Sequence, residues 1–182
     1  MRFRELELPG AYLIELERIE DERGFFARTF CRREFAEHRL ATEIAQANTA
    51  FNRRKGTLRG MHYQAAPHEE AKLVRCTRGA LHDVIVDLRR DSPTHLRWVS
   101  VELTDENGAM LYVPEGLAHG YQTLVDDTEA TYLMSAFYEP SAGRGVRWDD
   151  PAFGIEWPEV EERTINERDR SWPDFNLASA GA

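Results

Sequence analysis

A chain of 182 residues with 42% apolar and 30% charged side chains matches one ordinary globular domain with a sizeable core, and excludes a disordered segment or a membrane bundle. The formal net charge of −9 excludes general nucleic-acid binding, which needs Lys and Arg clustered on one face, but leaves room for a small anion in a local positive pocket. No apolar run approaches the roughly 20 residues that span a bilayer, and the start Met1-Arg-Phe-Arg lacks the features of a signal peptide, so a cytoplasmic protein is expected.

In chain order, residues 11–18 read as a first strand and 31–40 as a short amphipathic helix with Phe35 and Leu40 inward. Arg53-Arg-Lys55 reads as a solvated turn leading into a strand at 57–63. Short β-branched or aromatic runs follow at 71–76, 81–88, 98–103, 109–113, 120–125 and 130–135. Turn residues separate them: Thr77-Arg-Gly79, Asp91-Ser-Pro93, Asp105-Glu-Asn-Gly108, Pro114-Glu-Gly116, Asp126-Asp127 and Pro140-Ser-Ala-Gly143. Strands at roughly ten-residue spacing predict an all-β sandwich or barrel. The tail, with Trp157, Pro158, Trp172 and Pro173 among charges, is expected to cover the barrel as loops and short helical turns. The expected organisation is one domain over 1–182: N-terminal strand and helix in 1–50, barrel at about 51–150, packed tail in 151–182. Cys31 and Cys76 allow one disulfide and have no metal-type spacing; in a reducing compartment both read as buried thiols.

Two histidines carry the chemistry. His62 lies in Gly56-Thr-Leu-Arg-Gly-Met-His-Tyr63, and His119 in Gly108-x5-Pro114-x-Gly116-x2-His119. The pair resembles a cupin, a double-stranded β-helix or jelly-roll barrel, with its first metal motif rewritten. Metal-binding cupins generally place a second His two residues after the first, followed by a Glu; here Gln64 stands there, and Thr123 stands where an Asn is usual. Half a metal site points to metal-free chemistry with His62 as a base, against the plainer reading of a core histidine. His68, Glu69 and Glu70 read as a solvated hairpin rather than as extra ligands.

Seven ordered blocks make the resemblance more specific: Asp21-Glu-Arg-Gly-Phe-Phe26, Gln46-x-Asn48, Leu58-Arg-Gly-Met-His-Tyr-Gln64, Lys72-Leu-Val-Arg-Cys76, Pro114-Glu-Gly-Leu-Ala-His-Gly120, the stretch from Trp148 to Pro158, and Glu167-Arg-Asp169. They resemble the dTDP-4-dehydrorhamnose 3,5-epimerase family, whose enzymes invert C3 and C5 of a nucleotide-linked 4-keto-6-deoxyhexose without cofactor or metal. The resemblance implies His62 as base, Asp169 as its carboxylate partner with Glu167 as rival, Tyr132 as acid on the opposite ring face, and Lys72 beside the ketone oxygen. It implies phosphate contacts from Arg23 and Arg59, and sugar, phosphate or base contacts from Phe26, Gln46, Asn48, His119 and Tyr138, with core packing the rival reading for Phe26. A nucleotide-sugar substrate and a homodimer are implied, the exposed edge of an N-terminal strand at 6–16 being the surface that a partner would cover.

The chain departs from the family at Arg28, where many members carry a Glu. A carboxylate suits the N3–H of thymine, whereas a guanidinium suits the N3 acceptor of cytosine, so Arg28 raises the expectation of a carrier such as CDP in place of dTDP.

Overall fold

A computed structural model describes residues 1–175. Its strands are β1 (Arg2–Glu5), β2 (Tyr12–Glu15), β3 (Ile19–Asp21), β4 (Gly24–Phe26), β5 (Gln46–Asn52), β6 (Leu58–Gln64), β7 (Lys72–Arg78), β8 (Ala80–Asp87), β9 (Trp98–Thr104), β10 (Met110–Val113), β11 (Leu117–Thr123), β12 (Thr128–Met134) and β13 (Gly143–Gly145), with short helices α1 (Arg32–Glu37) and α2 (Glu167–Arg170). One sheet runs β1-β2-β10-β7-β12-β5 and faces a second running β13-β6-β11-β8-β9, every ladder antiparallel. This is the expected all-β, cupin-like jelly-roll barrel. No described helix is long and apolar enough to cross a membrane.

The β-branched and aromatic runs that marked the strands fill the barrel. Val74 and Cys76 from β7, Leu81 and Ile85 from β8, Leu111 and Val113 from β10, and Tyr121 from β11 form one buried cluster between the sheets. Burial in apolar surroundings pushes the Cys76 thiol up to about 11, as expected of an inert buried cysteine. Cys31 differs from expectation: it is only half-buried, just ahead of α1.

Helix α1 is shorter than the pattern suggested because Arg39 adopts a left-handed φ of 61° and ends it, yet Phe35 and Leu40 both point inward as expected. The expected N-terminal edge is a correction. Strand β2 is only four residues long and is paired on both sides, by β1 and β10, so the free edges belong to β1 and β5. Pro9 and Gly10, the latter with φ +83°, turn the chain between β1 and β2, and Leu8 and Ala11 reach the core from that loop.

Some strands carry no signal of the usual kind. Strand β5 reads Gln-Ala-Asn-Thr-Ala-Phe-Asn, polar and irregular, and is held by its full-length pairing with β12 from Asn52↔Thr128 to Gln46↔Met134. Strand β13 begins on the residue that had read as the end of a turn, and pairs with β6. Hairpin β3–β4 stands out from the barrel, with Ile19 69%, Phe25 50% and Phe26 70% exposed.

The loop from β8 to β9 is organised around one buried carboxylate. Asp87 accepts from Arg89 Nε (2.9 Å) and Nη2 (2.8 Å), Ser92 Oγ (2.6 Å) and Thr94 Oγ1 (2.7 Å). Burial alone would raise its pKa, but the Arg89 guanidinium and the two hydroxyls outweigh burial and bring it to about 2. A depressed carboxylate stabilises the fold above its unfolded pKa of about 4, and that stability is lost as pH falls toward the folded value. Asp87→Asn is therefore expected to cost about 2 kcal/mol at neutral pH and to flatten the acid limb between roughly pH 4 and 2, measured by denaturant unfolding across pH. An acid limb unchanged in the variant would remove Asp87 as its cause.

Candidate active site

Strand β6 sits between β13 and β11, and a register shift in its pairing with β11 falls between His119 and Tyr121. Gly60 lies at this irregularity with φ +131°, and a Cβ there would come within 2.5 Å of Gly120 Cα. Glycine is therefore required for the two backbones to approach this closely. Just past it, His62 and His119 face each other as cross-strand partners.

Asp169 reaches His62 from the far end of the chain. The tail is stitched to the start of β6 by Leu58 N–H donating to Thr164 O (2.9 Å) and Thr164 N–H donating to Gly56 O (3.0 Å). The single turn of α2 follows, its N-terminus capped by the Asn166 side chain, which accepts from the Asp169 backbone N–H at 2.7 Å. Asp169 is fully buried; its Oδ1 lies 2.7 Å from His62 Nε2, and its Oδ2 accepts from Gly60 N–H at 3.2 Å. Nε2 is thus the protonated nitrogen and Nδ1 carries the lone pair. Glu167, the rival carboxylate, is exposed.

A cavity of about 270 Å³ opens beside this pair. From β6 and β11 it is lined by Arg59, His62 and His119; from the opposite sheet by Asn48 of β5, Lys72 of β7 and Tyr132 of β12. Burial, followed by the neighbouring Tyr121, holds the Tyr132 phenol well above the ordinary range, so it is a proton donor. Tyr121 in turn bonds Asn52 (3.2 Å), whose Oδ1 accepts from Arg59 Nε (2.8 Å). Lys72 Nζ donates to the His62 carbonyl (3.1 Å) and lies 3.3 Å from Glu70 Oε1; burial lowers its pKa, and Glu70 opposes that.

Glu70 is a correction to the solvated-hairpin reading, because its side chain is only 7% exposed. Gln64 explains why. Its amide nitrogen lies within bonding distance of His68 O (2.9 Å), Glu70 Oε2 (3.2 Å) and Phe137 O (3.2 Å), and its oxygen accepts from Glu139 N–H (2.7 Å). The residue in the rewritten motif ties two loops together. Among the described residues no group of three or more His, Cys, Asp or Glu is arranged to hold a metal ion.

His119 also has a carboxylate partner, Asp83, whose Oδ1 lies 2.7 Å from Nε2, and both are buried. Asp83 escaped the sequence reading, although a carboxylate inside the β-branched run 81–88 is itself a sign of a buried partner. Tyr138 lines a second cavity of about 200 Å³ with Arg144 and Arg168, joined to the first through His62 and Lys72. Gln46 touches neither cavity and accepts instead from the Tyr138 backbone N–H. Thr123 is buried at the end of β11, where its hydroxyl donates to Arg54 O at 2.8 Å.

The remaining expected contacts are not assembled within one chain. Arg23 and Phe26 lie on the β3–β4 hairpin, Arg23 paired with Asp21 and Phe26 in the open. Arg28 pairs with Glu34 at 2.9 Å, and Glu34 is also held by the Met1 ammonium at 2.8 Å.

A family model for dTDP-4-dehydrorhamnose 3,5-epimerase matches residues 5–176. The chain is 44% identical over 175 residues to the dTDP-4-dehydrorhamnose 3,5-epimerase of Sinorhizobium fredii, covering 96% of this chain and 90% of that one. Its fold superposes on the crystal structure of the corresponding epimerase of Elizabethkingia anophelis with a TM-score of 0.93 at 34% identity, covering 96% of both chains. A 4-keto-6-deoxy sugar epimerase from the novobiocin gene cluster of Streptomyces spheroides gives 0.90 at 35% identity, covering 96% of this chain and 87% of that one.

The tautomer of His62 is directly testable. In Asp169→Asn the Gly60 N–H claims the amide oxygen, which turns the NH₂ group toward Nε2 and makes that nitrogen an acceptor. Nitrogen-15 NMR of the imidazole should show the proton moved to Nδ1, and a retained Nε2–H would show that Asp169 does not fix the ring.

Proposed function

Because the chain belongs to the dTDP-4-dehydrorhamnose 3,5-epimerase family, we propose that its His62, Lys72, Tyr132 and Asp169 are the groups that carry the family's reaction. The protein is an isomerase that inverts one or both of the carbons flanking the ketone of a nucleotide-linked 4-keto-6-deoxyhexose. The observation that carries the assignment is the 2.7 Å His62–Asp169 pair at a cavity whose opposite wall holds Lys72 and Tyr132.

A C–H bond beside a ketone is acidic only to the extent that the enolate is stabilised. His62 Nδ1 takes the proton, and Asp169 stabilises the imidazolium that forms. The bonding pair moves onto the C4 oxygen, where the Lys72 ammonium receives the charge. Tyr132 O–H returns a proton to the same carbon from the opposite face, the electrons fall back to remake the ketone, and exchange with solvent resets both residues. Inversion needs donors on two faces of the ring, and these two side chains come from opposing sheets. The chemistry uses side chains alone, so no cofactor is required. Arg59, Asn48 and His119 line the same cavity and supply cationic and polar contacts for diphosphate and sugar.

Arg23, Phe26 and Arg28 fit this function through a second copy of the chain. The hairpin carries three exposed apolar residues, more than a solvated tip warrants, and we propose that it packs against a partner in a homodimer and brings these residues to the partner's cavity. Arg28 already has a carboxylate within its own chain, and dTDP, the carrier of the relatives, is the carrier proposed here.

Incubation with the dTDP-linked 4-keto sugar in deuterated water should place deuterium beside the ketone. His62→Ala is expected to reduce that exchange by about 10²–10⁴-fold, whereas Tyr132→Phe should slow net inversion far more than proton removal. Equal exchange in the wild type and His62→Ala would refute the base assignment. Light scattering should give twice the chain mass, and Phe26→Ser should shift it toward the monomer; a monomeric wild type would sink the dimer.

A further inference from the structure

We propose that Glu70 is the fixed counter-ion of Lys72, a positioning residue that keeps this buried amine charged and directed at the ketone oxygen. The inference rests on the role given to Lys72 above and concerns how that role is sustained. The side chains of Lys72 and Glu70 are 8% and 7% exposed, so water solvates the ammonium and screens the pair only weakly, through the cavities they line. A lysine taken out of water in this way tends to shed its proton, and a neutral amine is a poor partner for an enolate oxygen.

The groups around Nζ differ in what they offer. On the side of the first cavity lie the His62 and His119 imidazoles, the Arg59 guanidinium and the Tyr132 phenol, none of them an anion at neutral pH. Asp169 and Asp83 each give an oxygen to a histidine; the Asp83 charge also raises the lysine pKa, but by less than Glu70 does. Arg144 and Arg168 line the second cavity and add positive charge, which works against a protonated amine. Glu70 alone among the described carboxylates ion-pairs with Nζ, at 3.3 Å, and it raises the lysine pKa against the lowering caused by burial.

Glu70 is itself held. The Gln64 amide reaches its second oxygen at 3.2 Å while also tying down the 68 and 137 carbonyls, so the carboxylate cannot swing to solvent without breaking a buried network. The position that in a metal-binding cupin would hold a ligand here secures an anion, and the anion secures a cation at the reacting oxygen.

Composition makes this measurable, since Lys55 and Lys72 are the chain's two lysines. Protein grown on carbon-13 lysine gives two Cε signals, and Lys55, exposed in the turn before β6, serves as the reference. Wild-type Lys72, although burial lowers its pKa, should still be protonated at neutral pH. In Glu70→Gln its midpoint should fall by at least about one unit, a tenfold change, and the alkaline limb of kcat should move down with it while KM changes less than threefold. Lowering the pH should restore the variant's kcat, an effect that a merely structural role would not produce. An unchanged Lys72 midpoint, or a loss of kcat uniform across pH, overturns the proposal. Should Glu70→Gln fail to fold, the wild-type titration decides: Lys72 neutral at pH 7 overturns the proposal and a protonated Lys72 upholds it. Failure of the wild type to exchange solvent deuterium into substrate would instead sink the epimerase assignment of this site.

Discussion

The contact on which the site depends is the one between Asp169 and His62, because it joins the helical turn α2 to a central strand of the barrel. Without the carboxylate the imidazole has no fixed proton, and without the proton on Nε2 its other nitrogen has no defined lone pair to offer. The carboxylate is held from several directions. Gly60 N–H takes the second oxygen, Asn166 caps the turn that presents it, and the Thr164 backbone bonds fix where that turn begins. A buried carboxylate with both oxygens engaged has no alternative position of comparable energy.

The barrel supplies the second constraint. A jelly roll sets two sheets face to face, and side chains from each line the same cavity. Charge is distributed to match. A protein carrying −9 overall gathers Arg59 and Lys72 around one cavity and Arg144 and Arg168 around the next.

The sequence disclosed most where burial and pairing coincide. Strands such as β8, β10 and β11 are buried on both faces, and their β-branched and aromatic runs placed them to within a few residues. Strand β5 was not legible because it is a largely exposed edge strand with polar Asn48 and Thr49 at the cavity, which leaves none of the pattern by which strands are found. The β3–β4 hairpin was read as a source of substrate contacts, but its solvent-facing position in one chain depends on what covers it, and a sequence does not carry that. Asp169 was found through resemblance alone, since nothing local distinguishes a buried carboxylate in a run of charges until the tail is docked. Glu70 was missed for the opposite reason: beside His68 and Glu69 it reads as surface, and the Gln64 network that buries it comes from another element.

The docked tail has a temporal consequence. Every strand of both sheets precedes residue 146, so the barrel can close while the final stretch is still being synthesised. During that interval His62 sits in a finished strand with no carboxylate to orient it. A chain cut short before α2 would keep every strand of both sheets but lack the carboxylate that orients His62.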